Sequence, residues 1–132
     1  MNVQIEKQSD GSYIAYNTSG DKVQLFGTGS SVKEAKEDFF NTIEEVRQSY
    51  VDFGEEMPAC LSEDVNFSFD LSSLFEYYSM LNVSALARYL GINDSLMRQY
   101  RKGGTPISGK QLEKIESGIT RLGAELAALR LV

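Results

Sequence analysis

The sequence predicts an α+β protein in two parts, a β-β-β-α-β module over residues 1–69 and an all-helical helix-turn-helix domain over residues 70–132. Three observations carry this. Short β-branched and aromatic segments separated by turn residues fill the start of the chain, helical periodicity alone governs the sequence after residue 70, and charge divides along the same line. The 132 residues carry a net charge of −6. Residues 1–81 hold 5 cations against 15 carboxylates, net −10, whereas residues 82–132 hold 8 against 4, net +4. An acidic part joined to a basic one points to two partners, a cationic protein for the first and a polyanion for the second.

The segments VQIEK (3–7), SYIAY (12–16) and VQLFG (23–27) read as three strands of a meander, because SDG and NTSGDK between them carry hairpin-turn chemistry. GTGSS then reads as a turn into a helix. Ser31 and Glu34 have the spacing of a capping box, and Val32, Ala35, Phe39, Ile43, Val46 and Tyr50 follow at intervals of three or four, one stripe to pack on a sheet. Gly54 and Pro58 stop that helix, and VNFSF (65–69) alternates as a fourth strand. Asp70 is placed to N-cap LSSLFEYYSML, the expected first helix of the second part.

The stretch VSALARYLGINDSLMRQYRKGG (83–104) reads as two short helices around a tight turn. Leu86, Ala87 and Leu90 point inward, and Gly91 supplies the left-handed turn residue. Ile92 plugs the gap between the helices, Asn93 caps the second one, and Leu96, Met97 and Tyr100 return to the core. Ala87, Ile92, Met97 and Tyr100 stand at the positions that packing constrains in a helix-turn-helix. The second helix then turns Asn93, Asp94, Ser95, Arg98 and Gln99 toward a major groove. Arg98 and Gln99 suit guanine and adenine edges, Arg101 and Lys102 suit phosphates with Lys110 as a further candidate, and Asp94 reads cytosine or favours the helix N-terminus. The competing reading is a plain helical hairpin with a solvated basic face. A last helix opens at Ser108, capped with Gln111. Its Leu112, Ile115, Ile119, Leu122, Leu126 and Leu129 stripe is expected to cover the core of the helical domain, with a dimer seam as the alternative.

Histidine is absent and Cys60 is the only cysteine. Imidazole catalysis, a Ser-His triad, a thiol-imidazole nucleophile and a cysteine zinc cluster are therefore excluded, and Cys60 reads as a small apolar residue in a loop. Glu6, Asp10, Asp21, Glu34 and Asp38 are the carboxylates a metal-dependent nuclease would need, but they fall on turns and exposed faces of a generally acidic part. No catalytic residue, metal or cofactor is expected. No apolar run suggests a membrane span and MNVQIEKQSDG lacks a signal-peptide pattern, so the expected compartment is the cytoplasm.

IEKQSDGSYIAY followed by GTGSSVKEAKEDFFNTIEEV resembles the HicB-type antitoxins, through Asp10, Gly11, Tyr13, Ala15, Gly29, Ser31, Glu34 and Ala35, over about residues 3 to 50. The helix-turn-helix at 83–104 is similar to that of some HicB-type proteins and of lambda-repressor-like domains. The resemblance implies an inactive, partial ribonuclease-H-like first module that silences a small basic HicA-like, mRNA-cleaving toxin. It also implies a second domain that represses its own operon by binding operator DNA, as a homodimer or higher homo-oligomer. Where that family carries a Pro-Asp-Leu-Pro-Gly-Cys-like loop after the second strand, this chain has NTSGDKVQLFGTG. The alternatives are a helix-turn-helix transcriptional regulator, or a protein-interaction module, without a toxin partner.

Overall fold

A computed structural model describes all residues, Met1–Val132. The chain is α+β, with a four-stranded mixed sheet and five α-helices. It forms two compact units, Met1–Ser79 and Met80–Val132.

In the first unit β1 (Asn2–Lys7), β2 (Tyr13–Asn17) and β3 (Phe26–Gly29) form the antiparallel meander, α1 (Val32–Asp52) follows, and β4 (Asn66–Phe69) returns to pair in parallel with β1. The sheet order is β3-β2-β1-β4. Val3, Ile5, Tyr13 and Ala15 alternate onto one face and are buried, together with Val32, Ala35, Phe39 and Ile43 from the helix. Gln4, Glu6, Ile14, Tyr16, Phe26 and Thr28 occupy the other face, half-buried or exposed, with the Tyr16 hydroxyl donating to Glu6 Oε1 at 2.8 Å. Cys60 lies in a short 3₁₀ turn (Ala59–Ser62) and is buried in the core beside Leu61.

The third strand begins later than expected, at Phe26 instead of Val23. Asn17 is the cause. Its side chain is buried and bonds like a piece of strand: Nδ2 donates to Val23 O at 2.8 Å and to Asp21 Oδ2 at 3.0 Å, while Oδ1 accepts from Leu25 N at 2.8 Å. Residues 23 to 25 thus satisfy their backbone on a side chain, and the ladder starts only where this ends. GTG is consequently the strand itself, not the expected turn. Its glycines let α1 lie against the β3 backbone: a Cβ on Gly27 would sit 2.3 Å from Phe39 N, and one on Gly29 would sit 2.4 Å from Glu34 Cβ.

Helix α1 starts as the capping spacing predicts, Glu34 N donating to Ser31 Oγ at 3.1 Å. The return bond differs from the expected one, because Glu34 Oε2 accepts from the amide and hydroxyl of Ser30, not from Ser31. The Ser30 hydroxyl and amide hold the Glu34 carboxyl below its ordinary pKa. Such a bond favours the folded state above the ordinary carboxylate range and is lost as pH falls through the lowered value.

Helix α2 (Leu71–Tyr77) belongs to the first unit, so the boundary falls after Ser79 and not, as expected, after Phe69. Asp70 shows why. One carboxylate oxygen caps α2 by accepting from Ser73 N at 2.8 Å, and the other accepts from Lys7 N at 3.0 Å, which ties the helix to the end of β1. Glu76 accepts from Val32 N at 2.9 Å, and Lys36 lies 4.4 Å from the Tyr77 ring centroid and 4.5 Å from that of Phe67. All three anchors of α2 are therefore in the first unit. Its charge count is unaffected, since Met80 and Leu81 are neutral.

Asn17→Ala strands the buried Leu25 amide and the half-buried Val23 carbonyl and is expected to cost about 2 kcal/mol. Gly27→Ala, which places a methyl group on backbone atoms that cannot give way, is expected to cost at least as much. Loss of amide-exchange protection in β2 and β3, with the helices of the second unit unchanged, is the measurement that checks both.

Candidate nucleic-acid interface

The second unit carries α3 (Val83–Leu90), α4 (Asp94–Lys102) and α5 (Gly109–Ala127). Every one starts on a side-chain cap: Asn82 accepts from Ala85 N, Asn93 from Leu96 N, and Ser108 from Gln111 N. Between α3 and α4 the chain turns in three residues. Gly91 has φ +73°, Gly91 N donates to Arg88 O at 3.2 Å and Ile92 N donates to Ala87 O at 2.8 Å, which together make a Schellman motif. Lys114 of α5 adds a third bond at the turn, Nζ donating to Gly91 O at 3.0 Å.

This turn sets α4 against α3 through buried Leu86, Ala87, Leu90, Ile92, Met97 and Tyr100. With Met97 and Tyr100 inward, the other side of α4 is fixed. Ser95, Arg98, Gln99 and Lys102, at positions i, i+3, i+4 and i+7, form one exposed face, and Arg101 is exposed on its flank. Arg98 is braced across the hairpin, its guanidinium donating to Ser84 Oγ and Ser95 Oγ, both at 3.3 Å. These four residues are the ones the structure brings together from the sequence-predicted set.

The other predicted residues stand differently. Asn93 is exposed, with its carboxamide oxygen engaged in capping α4. Asp94 is half-buried and turned back onto Arg88, 3.1 Å from its Nη1, so its charge is met by a cation of the preceding helix. Arg88 and Ser84 are the residues sequence reading missed. Arg88 was detectable as a cation in the last turn of α3, six residues before a carboxylate and across a tight turn; the Ser84 contact depends on the angle between the helices and leaves no mark in the spacing.

On α5, Arg121 Nε donates to the Tyr89 hydroxyl at 3.1 Å with its guanidinium 5.0 Å from the ring centroid, and this bond holds the Arg121 pKa above its ordinary value. The apolar stripe of α5 departs from the expected core role. Ile115 is the only one of its large side chains that is buried, Ile119 and Leu122 are half-buried, Leu112 and Leu126 are exposed, and Leu129, also exposed, lies beyond the end of the helix. The hairpin runs along the other face of α5, meeting it from Lys114 at the Gly91 carbonyl, past Gly118 against Leu90, to Glu125 at the Tyr89 hydroxyl.

The carboxylates considered for metal chemistry each have a separate local partner. Glu6 accepts from Tyr16, Asp10 from Ser12, Asp21 from Asn17, Glu34 from Ser30 and Asp38 from Thr28 N. No group of three or more His, Cys, Asp or Glu side chains is arranged to hold a metal ion, and no helix is long and apolar enough to cross a membrane. In comparisons with known proteins, no protein family, no curated protein and no solved structure matches the chain.

Gly91→Ala places a side chain at positive φ and is expected to lower the stability of the second unit by about 1 kcal/mol. Arg88→Ala breaks an exposed ion pair and is expected to change it by less than about 1 kcal/mol. Thermal unfolding of the two variants side by side tests this order.

Proposed function

We propose that this chain is a sequence-specific DNA-binding repressor, acting as a homodimer or higher homo-oligomer. In this reading α3 and α4 are a lambda-repressor-like helix-turn-helix and α4 enters the major groove. The observation that carries it is the exposed row Ser95, Arg98, Gln99 and Lys102 on a helix whose opposite side is locked by Met97 and Tyr100. Arg98 and Gln99 read bases, while Arg101 and Lys102 grip phosphates, in a unit of net charge +4. The pairing of Asp94 with Arg88 supports it further, because the one carboxylate of α4 is neutralised before DNA arrives.

The first unit, net charge −10, is the protein-binding half of this reading. We propose that the chain is a HicB-like antitoxin of the cytoplasm, which silences a small basic HicA-like toxin through the first unit and represses its own operon through the second. Catalysis, metal and cofactor have no part in it. The reading is supported by the opposite charges of the units and by the order of the elements around the Asp10-Gly11 turn. A regulator without a toxin partner is the second reading. Favouring it is the segment between β2 and β3, folded onto Asn17, which stands where the resembled family has a different loop.

Binding of the purified protein to DNA upstream of its own gene, at two salt concentrations, tests the proposal. Specific binding that weakens steeply with salt is expected. Arg98→Ala should relax base preference at one position, and Lys102→Ala should weaken all sequences alike and reduce the salt slope by about one. Absence of binding to any DNA, with or without the protein encoded beside it, would remove the repressor reading. DNA binding without capture of that neighbour would leave the second reading.

A further inference from the structure

We infer that the outward face of α5 is where a second copy of this chain docks, with Ile119 at the centre of a two-fold contact. The inference rests on the homo-oligomer in the reading above and assigns its surface.

Helix α5 needs a partner for a physical reason. A free helix of its length is marginal in water and draws most of its stability from burying an apolar face. Of its large apolar side chains, however, Ile115 is 1% exposed while Leu112 is 41% and Leu126 56% exposed. The unit around it is thin as well, with eight buried apolar side chains from Val83 to Ile115 and no cysteine to staple it. Small domains with so little core commonly complete it by association.

The two glycines of α5 separate its two faces. Gly118 turns toward α3, where a Cβ would lie 1.9 Å from Leu90 Cδ2, whereas a Cβ on Gly123 would meet nothing within 4 Å. On the open side Leu112 and Leu126, with half-buried Ile119 midway between them, recur every seven residues, and with Gly123 they fall within about 60° around the helix axis. A heptad-spaced apolar row with a gap for close approach is the pattern of a helix-helix seam.

The occupant follows from the symmetry of the row. Read from either end it is the same: leucine, then isoleucine seven residues on, then leucine. A copy turned end for end sets Leu112 against Leu126 and Ile119 against Ile119, the self-matching that an isologous contact requires. The antiparallel arrangement also opposes the helix dipoles and keeps the two Glu116 carboxylates apart, where an in-register parallel pair would bring them together. A helix of this length spans about 28 Å, so the contact is modest in area and dimerisation is expected at micromolar concentration.

The test is sedimentation velocity of the full chain from about 1 to 100 μM, with far-UV circular dichroism at each concentration, for wild type, Leu126→Glu and Ile119→Cys. Expected are a concentration-dependent wild-type dimer, at least a tenfold weaker one for Leu126→Glu with unchanged helicity, and a disulfide-linked dimer of Ile119→Cys on mild oxidation. Wild type, whose Cys60 is buried, should not cross-link. If Leu126→Glu fails to fold, the Ile119→Cys cross-link decides. A wild-type protein that stays monomeric would overturn both the homo-oligomer and this surface. A dimer that Leu126→Glu leaves intact and Ile119→Cys fails to cross-link would overturn the surface alone.

Discussion

Helix α1 rests on the bare backbone of β3, and the first unit is arranged around that contact. The helix can approach only because Gly27 and Gly29 present no side chain to Ala35 and Phe39. Phe39 and Ala35 are fully buried in one core with Ile5 and Ala15, and Glu76 accepts from Val32 N in the first turn of α1. Asn17 completes the device from the other side. By holding residues 23 to 25 on its own carboxamide, it delivers the chain to Phe26 in register with Tyr16, so that the two glycines arrive under the helix.

The second unit depends on a different economy, in which local bonds do most of the work. Three asparagine or serine caps and one Schellman turn fix where each helix begins and where the first ends. Once Gly91 has turned the chain, burial of Met97 and Tyr100 leaves Ser95, Arg98, Gln99 and Lys102 no direction but outward. The charge arrangement has the same origin. Asp94 lies within reach of Arg88 because the turn is three residues long, so one tight turn both aims the basic face and pairs its one carboxylate with a cation.

Local signals were legible in the residues. Four of the five N-caps, Ser31, Asp70, Asn93 and Ser108, were visible as a Ser, Asp or Asn before an apolar-periodic run, and Gly91 was visible as the stop between two such runs. Features set by long-range packing were not. A glycine pair before a helix looks like a turn unless the distance to the helix is known, and an asparagine that acts as a strand looks like a loop residue. Helix α2 read as the start of the second part because its apolar stripe carries no address; Lys7, Val32 and Lys36, far back in the chain, decide where it belongs. Of the candidate site, the outward row was legible from helical spacing, while the Arg88 and Ser84 contacts needed the crossing of two helices.

The parallel pairing of β1 with β4 has a kinetic consequence. It joins Asn2 to Asn66 and Ile5 to Phe69, so the sheet cannot be completed until a segment of more than sixty residues has been closed. Closing so long a loop is entropically expensive and slow, whereas a hairpin of capped helices with a three-residue turn assembles from neighbours in sequence. The two units therefore differ in what limits their folding, contacts between neighbours in sequence in the basic one and the closure of β4 onto β1 in the acidic one. Until β4 docks, β1 is an edge strand, and the backbone groups that will pair with Asn66–Phe69 are open to any other extended segment.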